Sequence, residues 1–499
     1  MNIRFAFFIL TLASLLFSCR DDRVLSDSDL NLRFSTDTVL LDTVFNSVNS
    51  STYTLKVFND SEDPISISEV FMENKSTAFR LNVNGIAANK VENVQIEPED
   101  SIYVFIEVTA DSTVGSCGTG DSYICEDRII FADSKGQTDH VTLVTEVRDA
   151  IFHFPNKFIS VGGALIPYSI VTGSETWTPG RPHVVFGYVV VDSGATLNIM
   201  PGTNVHFHAN SGMWVFNNGR LNIAQNAQPG IGDSVTFQGD RLEPSFENQP
   251  GQWGGALGGL FVDGGARVKI NNTVIKNANN ALRTDSALVN DQLEITNSYI
   301  LNSSRTALFG GFGNITARNV VVANSGLFLF YGLGGNYDFR HCTFANYWNA
   351  STRSDPAVLL TNFFEFRDEN GDIQRLVRDI ENAYFGNCII DGNARQEFVV
   401  AEDDAGQINF TINSALLKVE RDPEDRGFDL GDNSKFQSIL VNQLPEFVNV
   451  DRNNYRLDTA SQVIDVGNIQ DGLILPVDIV GNNRNFNGRP DLGAFERQF

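Results

Sequence analysis

The sequence predicts an all-β chain in which a solenoid of stacked parallel strands follows a β-sandwich of immunoglobulin-like size. Three observations carry this reading. First, segments 269–278, 294–303, 318–325, 340–347 and 384–393 of the 499-residue chain superpose, with asparagine recurring in two columns. Column one holds Asn272, Asn297, Asn319, His341 and Asn387; column two, five residues on, holds Asn277, Asn302, Asn324, Asn346 and Gly392. A sixth copy follows at Asn413. The first-column steps are 25, 22, 22 and 46 residues, the last about two periods. Such repeats bury their apolar faces only by stacking on one another. Second, apolar residues flank column one on both sides. Ile270, Ile295, Ala317, Phe339, Phe385 and Thr411 stand two residues before it, and Ile275, Ile300, Val322, Phe344, Ile390 and Leu416 stand three after it. Alternation with period two, rich in Val, Ile and Phe, gives strands rather than helices. Third, residues 52–58, 65–70, 102–108 and 141–147 read as short strands separated by turn residues, the spacing of an antiparallel sandwich.

Each element has a physical reason. In-register stacking advances by about 4.8 Å per repeat, the normal strand separation. A bend between strands leaves backbone N–H and C=O groups without ladder partners, which costs about 1–3 kcal/mol for each one buried. Asparagine offers both donor and acceptor, tolerates left-handed backbone, and can bond its counterpart one repeat away. The asparagines are therefore expected to form a structural ladder, with His341 as a member. Cys342 and Cys388 occupy one column with small residues. Side chains on neighbouring strands lie too far apart for a disulfide, so both are expected to be buried free thiols.

The leader comes next. Residues 1–18 carry one charge at Arg4 and then an apolar run, the pattern of a secretory signal peptide. Leu16-Phe17-Ser18-Cys19 resembles the lipobox at which bacterial lipoproteins are cleaved and acylated. The resemblance implies lipidation of Cys19, a tether over 19–29, and attachment to the outer membrane through acyl chains. Arg20-Asp21-Asp22 looks like a signal for the outward-facing side. Export permits a disulfide between Cys117 and Cys125, which bracket a Gly-rich loop. The formal charge of −25 argues against nucleic acid as a partner. Residues 20–149 carry 24 Asp+Glu against 10 Lys+Arg, so acidity is concentrated there.

The domain order expected is a sandwich over 30–149, a solenoid over 150–460 and a C-terminal cap over 461–499. A hairpin insertion near 350–381 turns at Asn370-Gly371. Leu197-Asn198-Ile199-Met200-Pro201-Gly202-Thr203 and Gln252-Trp253-Gly254-Gly255 resemble the opening of bacterial right-handed parallel β-helix proteins of the pectate-lyase-like kind. Asp478-Ile479-Val480-Gly481-Asn482-Asn483-Arg484 followed by Arg489-Pro490-Asp491-Leu492-Gly493-Ala494-Phe495-Glu496 resembles the C-terminal signature of surface-attached members, including the choice-of-anchor group. The resemblance covers roughly 185–499 and implies a right-handed β-helix.

Chemistry is harder to read. The six histidines include no Gly-His-Gly, and Arg267-Val268-Lys269 stands alone, so the pectin-hydrolase pattern is missing. Arg318 and Arg340 share a column and could serve a polysaccharide lyase, which needs a base beside a carboxylate-neutralising group. Two arginines on a solvated face are more simply surface. Glu402-Asp403-Asp404 and the group Asp422, Glu424, Asp425, Asp429 and Asp432 could hold calcium, but neither has a defensible ligand spacing. No cofactor is expected. The candidate ligand surface is Tyr347, Trp348, Arg353 and Arg367 by the insertion, with Arg318 and Arg340 on the flank. Aromatic rings beside polar groups suit sugar faces. The expected role is non-catalytic binding of glycan or matrix at the cell surface, or a structural one. The alternative is a lyase or glycoside hydrolase acting on an extracellular polysaccharide.

Overall fold

The computed structural model describes residues 30–111, 117–230, 232–368, 370–420 and 428–498. Lipobox and tether lie outside them. The chain divides into two compact units, meeting in sequence at Asp149–Ala150. Among the described residues no helix is long and apolar enough to cross a membrane.

The first unit is two sheets sharing one core. One runs Leu32–Phe34, Tyr53–Asn59, Ser101–Val108, Phe79–Val83, Ile86–Ala87 in spatial order; the other runs Thr38–Leu40, Thr138–Arg148, Ser122–Ala132, Ile65–Met72, Lys90–Ile96, with Val44–Phe45 also on Thr138–Arg148. Pairing is antiparallel except where Thr38–Leu40 and Val44–Phe45 join Thr138–Arg148. Period-two alternation sends Ile102, Val104, Ile106 and Val108 inward and leaves Tyr103 and Phe105 exposed. Cys117 and Cys125 are disulfide-bonded. Their separation of eight residues closes a small loop, so replacing both with serine should cost about 2–3 kcal/mol. The denaturation midpoint of the double variant, compared with that of the oxidised parent, checks this.

Among the described residues the second unit is built on two large sheets, of 19 and 10 strands, parallel except where Lys157–Val161 pairs antiparallel with Ala164–Val171. Each repeat gives the larger sheet one continuous bent strand or a pair, such as Arg267–Asn271 with Thr273–Lys276, and gives the smaller sheet one, such as Leu282–Thr284. Like lies beside like. Ile270, Ile295, Ala317, Phe339, Phe385 and Ile412 form one register column. Ile275, Ile300, Val322, Phe344, Ile390 and Leu417 form another. All are buried, in one core with Cys342 and Cys388, which are free thiols.

The first-column residues sit at the bends with left-handed backbone: Asn272 (φ 42), Asn297 (48), Asn319 (53), His341 (51) and Asn387 (52). Their side chains link neighbouring repeats. Asn319 Nδ2 donates to Asn297 Oδ1 at 3.0 Å, and Asn387 Nδ2 lies 2.9 Å from His341 Nε2. In column two, Asn277, Asn302 and Asn324 are also left-handed, and Asn302 Nδ2 lies 3.4 Å from Asn277 Oδ1. Asn346 is buried but has no left-handed φ, and it accepts from the Ser325 backbone instead.

Three sequence expectations need correction. The sixth bend is at Ser414 (φ 50), one residue beyond Asn413, because Ile412 rather than Thr411 pairs inward with Phe385. A one-residue slip would turn each core side chain to the other face. The insertion is narrower than 350–381, since Val358–Thr361 is a regular strand of the smaller parallel sheet. Only Phe363–Arg367 and Ile373–Val377 form the added antiparallel hairpin. Finally, the parallel ladder ends at Leu440–Val441 rather than near 460.

The C-terminal segment is no end cap; it runs back along the flank of the larger sheet. Tyr455, Ile479, Ala494 and Phe495 pack on Leu301, Val321, Ala323 and Ala345, while Leu457, Val463 and Leu492 pack on Ile389 and Leu416. It also closes the bends. Asn319 Nδ2 donates to Val477 O at 2.9 Å, and Asn387 exchanges bonds with the Asn468 backbone at 2.6 and 2.9 Å. Arg484, fully buried, donates to Asn319 Oδ1, Gly493 O and Ala494 O.

Candidate functional site

The outward side chains of the first strand in each repeat form a second row on the larger sheet. In Asn314–Ser325 and Gly335–Arg340, Ile315, Ala317, Tyr337 and Phe339 point into the core. Alternation therefore turns Asn314, Thr316, Asn336 and Asp338 outward. Register places Asn314 beside Asn336 and Asn336 beside Asn382; Thr316 lies beside Asp338, and Asp338 beside Tyr384. Asn314, Thr316, Asn336, Asp338 and Asn382, with Asn290 and Glu381, line a groove of about 330 Å³. A second hollow of about 460 Å³ shares Asn290, Asn314, Asn336 and Glu381 and extends past Ser286, Leu288, Arg378 and Asp379. Asn336 Nδ2 donates to Glu381 Oε2 at 2.9 Å, and Asn314 Nδ2 to Val289 O at 2.9 Å.

The hairpin stands at the groove's edge, since Arg378, Asp379 and Glu381 come directly after its second strand. Arg375 on one face of this ribbon pairs with Asp403 and Glu365 and covers the Phe363 ring at 4.7 Å. Phe364 and Phe366 lie on the opposite face, 47 and 45 % exposed, their rings 6.3 Å apart and nearly parallel. Sequence reading missed this pair, although Phe363-Phe364-Glu365-Phe366 beside a turn was the available signal.

The charges in the groove are largely held in place. Asp338 pairs with Arg318 and, at 3.0 Å, with Arg340 Nε. Arg340 also pairs with the buried Asp471 and lies 4.3 Å over the Tyr384 ring. Burial works to lower the Arg340 pKa, but the Asp338 and Asp471 carboxylates outweigh it and hold the guanidinium above its ordinary value. The Tyr384 hydroxyl donates to Asp471 at 2.8 Å; burial, then this carboxylate, pushes it up to about 12. A protonated arginine and a protonated phenol are poor bases.

The other expected surface residues do not gather into one site. Trp348 is buried, and its Nε1 donates to Ser351 Oγ at 2.9 Å. Arg353 is buried in an ion pair with fully buried Glu397, at 2.6 and 2.9 Å, and so cannot line a surface. Tyr347 bonds the Asp391 carboxylate and packs edge-on against Phe447, in a separate hollow of about 400 Å³ with Arg395, Lys418 and Glu420. Arg367 is exposed at the hairpin tip, donating to Gly371 O at 2.8 Å. These side chains were expected together because sequence proximity to the insertion says nothing about which face of a strand each takes.

Several of the acidic side chains read for calcium are held by protein donors; Glu402 accepts from the Ile408 N–H. Asp403 accepts from Arg375 and from the Ala405 backbone. Asp429 and Asp432 accept from the Gly431 and Ser434 N–H groups. Asp422, Glu424 and Asp425 lie outside the described residues. A different trio, Asp465, Asp491 and Glu496, brings carboxylate oxygens within 4.8 Å of one another. Burial pushes Glu496 up to about 8 and raises Asp491, while it lowers Arg484 to about 10. Arg484 Nη1 stands 3.6 Å from Glu496 and supplies the cation there.

No family model and no curated protein matches this chain. Among solved structures, the CooA pilin subunit from enterotoxigenic Escherichia coli aligns at 14% identity over 24% of this chain and 97% of its own, with a TM-score of 0.18. A family 123 glycoside hydrolase from Clostridium perfringens aligns at 11% identity over 28% of this chain and 26% of its own, TM-score 0.17. The E. coli chaperone DraB aligns at 15% over 28% and 70%, TM-score 0.16. Likenesses this low carry no argument about fold or function.

Proposed function

We propose that the second unit is a right-handed parallel β-helix and that its flank binds an extended glycan without cleaving it. The lipobox resemblance would place this unit outside the cell on an acyl anchor at Cys19. The observation that carries the reading is the register row of Asn314, Asn336 and Asn382 beside Thr316 and Asp338. It repeats hydrogen-bonding groups at about the 4.8 Å strand spacing, comparable with the advance of a sugar unit in an extended chain. Phe364 and Phe366 add ring faces at the groove's edge, suited to the C–H-rich faces of pyranoses. Held charges favour binding over cleavage. A lyase needs a group able to accept a proton, and Arg340 is fixed in its charged form by two carboxylates.

Incubation with a panel of acidic and neutral polysaccharides tests this. Retention of at least one polysaccharide without new reducing ends or unsaturated products is expected. Appearance of such products would defeat the binding reading in favour of the enzymatic one.

A further inference from the structure

A second surface, on the first unit, has the chemistry of a carbohydrate platform. Strand Ser101–Val108 lies between Tyr53–Asn59 and Phe79–Val83 in the five-stranded sheet. Its outward residues Tyr103 and Phe105 are 42 and 38 % exposed, with ring centroids 6.1 Å apart and planes within 8°. Two exposed, nearly parallel rings at successive outward positions make an aromatic strip along the strand. Lys56, directly opposite Tyr103, holds its ammonium 4.7 Å over that ring and 6.0 Å from the Phe58 ring, and has no carboxylate partner among the described residues. Asn82, opposite Phe105, has a shielded side-chain oxygen with no hydrogen-bond partner. It lines a hollow of about 620 Å³ with Phe105, Thr52, Arg80, Asn89 and Glu107. Arg80 and Glu107 are occupied with each other.

We propose that this strip binds a neutral pyranose glycan. The rings would cover the C–H face of a sugar, and Lys56 would donate to a hydroxyl or ring oxygen. Three alternatives fit less well. A second protein copy needs roughly 800 Å² per partner, whereas two aromatic side chains at this exposure offer on the order of 150 Å². An apolar peptide would meet a polar border, at Thr54, Arg80 and Glu107. A polyanionic glycan would meet the strongly acidic field of residues 20–149. A neutral chain meets no such repulsion.

The proposal is independent of the groove on the second unit, and the test separates the two. The full chain is run in native affinity gels containing laminarin, galactomannan, alginate or no polysaccharide. The background variant is Asn336→Ala with Asn382→Ala, which disables the groove. Retardation by a neutral glycan is expected to persist in that background and to fall at least tenfold on adding Tyr103→Thr with Phe105→Thr. Lys56→Met should weaken the same retardation. Threonine suits an exposed strand position, and an unchanged far-UV spectrum verifies folding. Loss of all neutral-glycan retardation in the groove variant alone would overturn the platform while leaving the groove reading intact. So would retardation by alginate only, or retardation unaffected by the Tyr103 and Phe105 changes.

Discussion

Replacement of Arg484 with alanine is expected to destabilise the second unit by about 3–5 kcal/mol. The side chain is fully buried between the flank of the parallel sheet and the returning C-terminal segment. It donates at 2.9 Å to Asn319 Oδ1, at 3.2 Å to Gly493 O and at 3.0 Å to Ala494 O. Each acceptor left without a donor costs about 1–3 kcal/mol, and partial relaxation reduces the sum. All three bonds come from Nη2. A lysine ammonium keeps the charge and has donors for these acceptors. It lacks the second guanidinium nitrogen, Nη1, which stands 3.6 Å from Glu496, so Arg484→Lys should fall between alanine and wild type. The effect should concentrate on residues 443–498, which pack through this side chain. Limited proteolysis releasing that segment from the variant, and not from the parent, would show it. A variant as stable as the parent would mean that the segment docks by its apolar contacts alone.

The same region should respond to pH. Burial pushes Glu496 up to about 8, against an ordinary glutamate value near 4.5. Between those values the folded chain holds a proton that the unfolded chain has released. Stability contributed here is therefore lost as pH rises from about 4.5 to about 8. Glu496→Gln should flatten that slope in denaturation midpoints measured across the interval.

Removal of Glu397 is expected to cost a similar 3–5 kcal/mol, through a different contact. Its carboxylate is fully buried and accepts from Arg353 at 2.6 and 2.9 Å, from Ala394 N at 2.7 Å and from Ala357 N at 2.8 Å. Glu397→Ala leaves a buried guanidinium without its counter-charge, although it still donates to Asp355 O and Asn346 O, and two backbone N–H groups without an acceptor. Arg353→Met with Glu397→Leu should lose less than Glu397→Ala, because replacing both partners by apolar groups avoids an uncompensated charge. Because the chain has two units, the loss must be read from the transition of the second unit alone. A loss of glycan binding on changing Arg353 without loss of stability would restore it to the ligand surface and contradict its burial.

The parts of the fold set by repetition were legible in the sequence. Asn272, Asn297 and Asn319 marked the bends because left-handed backbone and unpaired amide groups both favour asparagine there. The Phe339 and Phe344 columns marked the core because strand alternation has one period everywhere. Contacts that close over long separations were not legible. Val320-Val321-Val322-Ala323 is apolar at every position, the pattern of a strand covered on both faces. That run signalled a covering layer but could not name the C-terminal segment as the cover. Arg353 met the same limit: its partner Glu397 lies 44 residues on, and nothing local distinguishes a buried arginine from one that awaits a ligand. The groove was partly visible, since Arg318 and Arg340 were read as one column. Their shared partner Asp338 was the missing piece that turns two free cations into a held network.

Calorimetric titration with a length series of oligosaccharides from a retained glycan tests the central claim most directly. Each in-register step of Asn314, Asn336 and Asn382 should engage one further sugar unit. Affinity is therefore expected to climb from the disaccharide to about the tetrasaccharide, then level off, and Asn336→Ala with Asn382→Ala should flatten the climb. Affinity that is indifferent to length, or untouched by those two substitutions, would contradict binding along the row.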